Sequence, residues 1–167
     1  MDINSLFAGM AKAQMNSKGN YMGEGVYRIR SKSLKAKDGF KGKSLIFEFE
    51  IVESNNQAHA PGSSGSYVVK LDKPQAFGDI KALIFALAMD LDPKSVKSPE
   101  QDPQTHAQAA ELVKAALDPA AAKALGVEPD FLVGLELRLE TIKIKTQKGG
   151  DFTVHNWSPL STSAQAA

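Results

Sequence analysis

Residues 44–53, SLIFEFEIVE, alternate apolar and polar side chains almost without a break. Leu45, Phe47, Phe49 and Ile51 fall on one face, and Glu48 and Glu50 on the other, because successive side chains of a strand point to opposite sides. This is the pattern of a half-buried strand in a sheet. Residues 25–34 repeat it, with Tyr27 and Ile29 opposite Arg28, Arg30 and Lys32. Between these two strands, residues 35–43 are rich in turn formers, and Asp38-Gly39 is a strong hairpin signal. Residues 54–65, full of Asn, Ser, Gly and Pro, read as a loop. A third strand follows over 66–71, where Tyr67, Val69 and Leu71 alternate with Val68 and Lys70.

The period then changes. Asp72 and Pro74 mark a helix start, and Phe77, Ile80, Leu83, Ile84 and Leu87 recur at helical spacing up to Met89. Phe47, Phe49, Phe77 and Phe85 are all expected in the core. Residues 90–103 form a loop, and Thr105-His-Ala-Gln108 fits a capping box that opens a helix to about residue 117. Asp118-Pro119 opens a short helix closed by Gly126. These alanine-rich turns, within residues 91–130, form an insert beside the core. Strand character returns at Phe131: Val133, Leu135, Leu137 and Leu139 alternate with Glu136, Arg138 and Glu140. At Thr141 the parity flips to Ile142 and Ile144 against Lys143 and Lys145, which predicts a bulge in this strand. Residues 147–151 make a hairpin turn and 152–157 the last strand.

The resulting order, β-β-β-α-β-β, is that of the OB-fold, a five-stranded Greek-key barrel, here with a helical insertion between the helix and the fourth strand. A mixed α+β sandwich shares the order. A chain of 167 residues suits one domain with a decorated core. Residues 1–22 form an arm or short helix, 23–157 the single OB-like domain, and 158–167 a flexible tail. The absence of cysteine excludes disulfides, thiolate zinc sites, iron–sulfur clusters and a thiol nucleophile, and suits a reducing cytoplasm. Asp2 stands where a signal peptide carries positive charge, and the longest apolar run, 82–89, is far below the roughly 20 residues of a membrane span. A soluble cytoplasmic protein with no membrane contact is expected.

The net charge of +1 conceals an uneven distribution. Arg28, Arg30, Lys32, Lys35, Lys37, Lys41 and Lys43 share residues 26–43 with a single acid, Asp38. Lys143, Lys145 and Lys148 occupy residues 141–150 with no acid, whereas residues 90–140 hold five basic residues and ten acids. In an OB-fold the loops carrying the two basic stretches flank the ligand groove. Cations there neutralise phosphates and release counterions, giving sequence-tolerant, salt-sensitive affinity. Charged strand faces also occur as plain solvated surface, and basic hairpins blunt sheet edges. Single-strand binders stack bases on exposed rings. Phe40, in the basic turn, and Trp157, near the last strand's end, are the ring candidates, followed by Phe152. Tyr27 and Tyr67 share faces with Ile29 and Leu71 and so belong to the core.

The segments Gly25-Val-Tyr27, Phe47-Glu-Phe-Glu-Ile-Val-Glu-Ser-Asn55, Pro61-Gly62-Ser63, Lys70-Leu-Asp-Lys-Pro74 and Gly78-Asp-Ile-Lys81 resemble small phage-encoded proteins. These are OB-fold single-stranded-DNA-binding or replication and recombination accessory proteins. The resemblance covers residues 23–89 and, by topology, the last two strands. It implies a DNA-binding groove, action in the cytoplasm of an infected host cell, and no cofactor. One departure concerns partners. Bacterial single-stranded-DNA-binding proteins end in an acidic tail, whereas this chain ends Ser-Thr-Ser-Ala-Gln-Ala-Ala167.

Enzyme chemistry finds little support. Gly62-Ser-Ser-Gly65 lacks the lysine of a phosphate-binding loop, and His59, His106 and His155 have no second histidine at metal spacing. Glu48 and Glu50 could pair as carboxylates, but on an exposed sheet face they more often balance arginines across strands. Two non-enzymatic roles follow. One is a single-stranded nucleic-acid-binding module, either monomeric or homo-oligomeric, whose acidic insert would meet a replication or recombination protein. The other is a virion structural, assembly or adaptor protein.

Overall fold

The computed structural model describes residues 22–39, 42–71, 75–145, 147 and 149–160. The expected N-terminal helix, Phe40, Lys41, Lys148 and residues 161–167 of the tail lie outside them. Strand β2 (Gly42–Ser54) buries Leu45, Phe47, Phe49 and Ile51, as its alternation requires. Strand β1 (Gly25–Gly39) runs antiparallel beside it, from Tyr27 opposite Ser54 to Gly39 opposite Gly42. The register shifts twice, between Arg28 and Ile29 and between Ser31 and Ser33. Tyr27, Ile29 and Ser31 are buried before the second shift; after it, Leu34 stands opposite Phe47 and packs on the same core. Bulges of this kind let a long strand bend while keeping its apolar face inward.

Strand β3 (Ser64–Lys70) pairs with the Ser44–Glu50 part of β2, and strand β4 (Glu136–Lys145) pairs with the Gly25–Arg30 part of β1. Strand β5 (Asp151–Ser158) completes an antiparallel sheet of order β3-β2-β1-β4-β5. No backbone pairing joins the edge strands β3 and β5 among the described residues. Their side chains nevertheless meet. The Tyr67 ring of β3 lies 4.6 Å from the His155 ring and 5.2 Å from that of Trp157, both on β5. Phe47 approaches Trp157 edge-on at 5.8 Å. The sheet therefore curls around one aromatic core.

The bulge expected at Thr141 is not in β4, which pairs with β5 in unbroken register from Arg138 opposite Ser158 to Lys145 opposite Asp151. Leu137, Leu139 and Thr141 continue one buried face, and the Thr141 hydroxyl donates to the Gly23 carbonyl. Gly25 is the last β1 partner of β4, opposite Thr141. Beyond it, β4 and β5 continue as a two-stranded ribbon. There Ile142 and Ile144 simply stand on the outward face, so the apolar parity changed without any change in the backbone.

Helix α1 (Gln75–Ala88) turns Ile80, Leu83, Ile84 and Leu87 into the core and touches β3, β4 and β5. Phe77, expected inside, is 57% exposed. It shares a stripe with Ile84 but stands in the first turn, where Ala76 is the residue turned into the core. The insert holds helix α2 (Pro103–Leu117) and helix α3 (Pro119–Leu125). Asp102, rather than Thr105, caps α2: its carboxylate accepts from the Thr105 amide at 3.3 Å and the Thr105 hydroxyl at 2.6 Å. Pro103 at the first helical position explains the earlier start. Asp118 caps α3, and Gly126 ends it with φ +83°, as the sequence predicts. The insert is joined to α1 through His106. Its Nε2 hydrogen faces the Lys97 carbonyl at 2.7 Å, which leaves Nδ1 to accept from the Lys81 ammonium at 3.0 Å.

Gly65 of β3 has a packing role. A Cβ placed there would lie 2.5 and 2.7 Å from carbons of the Phe49 ring and 3.0 Å from the Met22 sulfur. Met22, assigned to the arm by sequence, is thus part of the core. Gly65→Ala is expected to lower stability by about 1–3 kcal/mol, the usual cost of overpacking, read as a lower urea midpoint at unchanged slope. An unchanged midpoint would mean that Phe49 and Met22 make room freely.

Candidate nucleic-acid interface

The basic residues of β1 divide into two groups with different surroundings. Arg28 and Arg30 point outward, next to glutamates from both neighbouring strands. The register sets Arg30 opposite Glu136 on β4 and Glu50 on β2, and Arg28 opposite Arg138 and Glu53. Glu136 bridges both guanidinium groups. Arg28 Nη2 lies 2.7 Å from its Oε1 and Arg30 Nη2 2.8 Å from its Oε2, with each Nε donating as well. Glu53 adds a contact to Arg28 at 3.2 Å, Glu50 a longer one to Arg30 at 3.9 Å, and Glu140 pairs with Arg138 at 3.1 Å. The hydrogen bond from Arg28 holds the Glu136 carboxyl below the usual carboxylate range, and the same bond raises the Arg28 guanidinium. Charge-assisted forks of this kind are the strongest hydrogen bonds such groups make. The central outward face is therefore compensated, and the donors of Arg28 and Arg30 are already engaged with carboxylates.

The lysines differ. Lys32 donates to the Ser64 hydroxyl at 3.2 Å. Lys35, Lys37 and Lys43, on the β1–β2 hairpin, and Lys143 and Lys145, on the β4–β5 ribbon, are all exposed. Among the described residues no carboxylate lies within 4.0 Å of any of these five ammonium groups. Because β4 meets β1 only over Gly25–Arg30, its ribbon projects past the Gly25 end, while the β1–β2 hairpin projects past the other. The two lysine groups thus lie beyond opposite ends of the compensated arginines, Lys35 and Lys37 on the same outward face and Lys43, Lys143 and Lys145 at positions that continue the inward face past the core.

Trp157 is not an exposed ring. It is 4% exposed and surrounded by Phe47, Phe49, Tyr67 and His155, because it faces inward beside Leu139 where the sheet curls. Tyr27 is buried too. Its hydroxyl donates to the Gly23 carbonyl at 2.7 Å, and burial pushes its phenol pKa up. Phe40 and the Phe152 side chain lie outside the description. The large exposed apolar side chains among the described residues are Phe77, Leu125, Val133, Ile142 and Ile144. Sequence reasoning passed over the last two, although the parity flip at Thr141 was their signal.

The histidines are placed for structure. His59 Nε2 accepts from the Gly23 amide at 2.9 Å, His106 links α1 to the insert, and His155 is largely buried against Tyr67 and Trp157. Burial lowers the His155 pKa from 6.5 to about 4, so the ring is neutral at pH 7. Among the described residues no three His, Asp or Glu side chains come together as a metal site. Glu48 accepts from the Ser33 hydroxyl and Glu50 stands near Arg30, so the two are tied to β1. No helix among the described residues is long and apolar enough to cross a membrane. No protein-family model matches the chain, and no curated protein matches it.

Proposed function

We propose that the protein binds single-stranded nucleic acid, without sequence preference, through the lysines at the two ends of β1. The supporting observation is the contrast in charge pairing: five exposed lysines have no carboxylate within reach, while the arginines between them are fully compensated. An ammonium group with no internal partner can neutralise a phosphate and release the strand's condensed counterions at little cost in folded structure. The strand order β3-β2-β1-β4-β5, with helix α1 after β3, suits an OB-like barrel whose ends meet through Tyr67, His155 and Trp157. Replication or recombination of phage DNA is the setting in which such a binder would work. The acidic insert would then be a docking site for a protein partner.

Titration of a fluorescent oligo-dT at two salt concentrations tests this directly. Affinity is expected to fall steeply as salt rises. Lys35→Gln with Lys37→Gln and Lys43→Gln should reduce the slope of log K against log salt by about 2, at about 0.7 per phosphate contact. Arg28→Gln with Arg30→Gln should leave that slope nearly unchanged. No binding at low salt, or binding indifferent to salt, would overturn the proposal. A structural or assembly role would then be favoured, with exposed Ile142 and Ile144 as its supporting observation.

A further inference from the structure

The strand register brings a lysine of β3 into line with the β1–β2 hairpin. Lys37 stands opposite Ser44, and Ser44 opposite Lys70, so the three form one row across β1, β2 and β3. Their neighbours Leu45 and Val69 are buried and Leu34 packs on the core, which turns Ser44, Lys70, Lys35 and Lys37 to the outward face. Lys35 stands one row further along, opposite Ile46, which in turn pairs with Val68. Lys35, Lys37 and Lys70 are exposed, and among the described residues no carboxylate lies within 4.0 Å of their ammonium groups. Along these rows the first acid is Glu48, beyond Ile46, and its carboxylate accepts from the Ser33 hydroxyl at 3.2 Å. Asp38 belongs to the other face, opposite Lys43.

We infer that Lys70 is a phosphate-contacting residue of the nucleic-acid site, and that the bound strand crosses the outward face from the β1–β2 hairpin to β3 over Ser44. This rests on the binding function proposed above and adds a contact from a strand outside the hairpin. Lys43, Lys143 and Lys145 continue the opposite face, whereas Lys70 shares that of Lys35 and Lys37. Two strand spacings root Lys37 and Lys70 about 10 Å apart, and Lys35 lies about 7 Å from Lys37 along β1. Like charges set across a sheet in this way repel one another. A phosphate lying over Ser44 relieves that repulsion from both sides, and the Ser44 hydroxyl can donate to one of its oxygens. Because all three lysines are exposed, a lone small anion there would keep most of its water. A polyanion gains at each contact from the counterions it releases.

The experiment titrates oligo-dT at several salt concentrations with wild type, Lys70→Gln and Lys114→Gln, the last changing an exposed lysine of α2 in the insert. Lys70→Gln should lower the slope of log K against log salt by about 0.7, equivalent to about fivefold weaker binding at roughly 0.1 M salt. Lys70→Arg should restore the slope, and Lys114→Gln should leave it unchanged. The urea midpoint of Lys70→Gln should equal or slightly exceed that of wild type, because a repulsive neighbour of Lys37 is removed. A lower midpoint would mark Lys70 as a structural residue instead. If wild type binds oligo-dT and Lys70→Gln keeps the full slope, or Lys114→Gln loses as much, the assignment of Lys70 is wrong while the hairpin lysines stand. Failure of wild type to bind at all would remove both. Wild type that ignores oligo-dT but sediments with phosphatidylserine vesicles, and does so less as Lys70→Gln, would make this face a lipid-headgroup surface.

Discussion

Trp157→Ala is expected to lower the stability of the protein by about 3–5 kcal/mol, the range for emptying a buried aromatic site. Few single changes in this chain should cost more. Trp157 faces Phe47 at 5.8 Å, Phe49 at 6.5 Å and Tyr67 at 5.2 Å, each edge-on, with His155 stacked at 5.9 Å. Those neighbours come from β2, β3 and β5, so the indole is shared by both edges of the curled sheet. Its removal leaves a cavity at the place where the edges meet only through side chains. Since small domains are stable by about 5–15 kcal/mol, a loss of that size removes a large share of the total. Urea unfolding followed by far-ultraviolet circular dichroism gives the number, and Trp157→Phe should recover part of it. A ring serving as a base platform would behave in the opposite way. The variant would then keep its midpoint and lose only affinity.

That contrast shows what the sequence carried and what it did not. The inward faces of β1 and β2 were legible because Tyr27, Ile29, Leu45, Phe47, Phe49 and Ile51 alternate with charged or polar residues, and alternation reports a face directly. The caps of α3 were legible for an equally local reason, Asp118-Pro119 at one end and Gly126 at the other. Properties that depend on a distant partner were hidden. Arg28 and Arg30 looked like a phosphate surface because Glu136 lies more than a hundred residues away and only the β1–β4 register brings it beside them. Trp157 looked exposed because its position near the chain's end says nothing about where the sheet curls. Ile142 and Ile144 mimicked a buried face, although β4 had already run past its partner β1 at that point. Alternation identifies which residues share a side, but only the neighbouring strand decides which side is covered. Within the candidate site, Lys35, Lys37, Lys43, Lys143 and Lys145 could be named from sequence as exposed charge; their lack of carboxylate partners could not.

Acid should weaken the protein well before its carboxylates begin to protonate, through His155. Burial beside Tyr67 and Trp157 lowers its pKa from 6.5 to about 4 in the folded state. As pH falls through 6.5, the unfolded chain takes up a proton that the folded chain refuses. Stability must then decline with falling pH, and the decline is complete only below the folded value near 4. A shift of this size corresponds to about 3 kcal/mol in full. Above pH 6.5 the residue contributes no pH dependence. Glu136, held low by its hydrogen bond from Arg28, and Asp102, held low by the Thr105 hydroxyl, act in a different window. Their stabilisation is intact above the ordinary carboxylate pKa and is lost only below it. Urea midpoints measured from pH 7 to pH 4.5 should therefore fall in wild type and stay nearly level in His155→Gln, in which every other titrating group is retained. A wild-type profile as level as that of the variant would place the imidazole in contact with water, and the joint between β3 and β5 would then be looser than the 4.6 Å approach of Tyr67 to His155 requires.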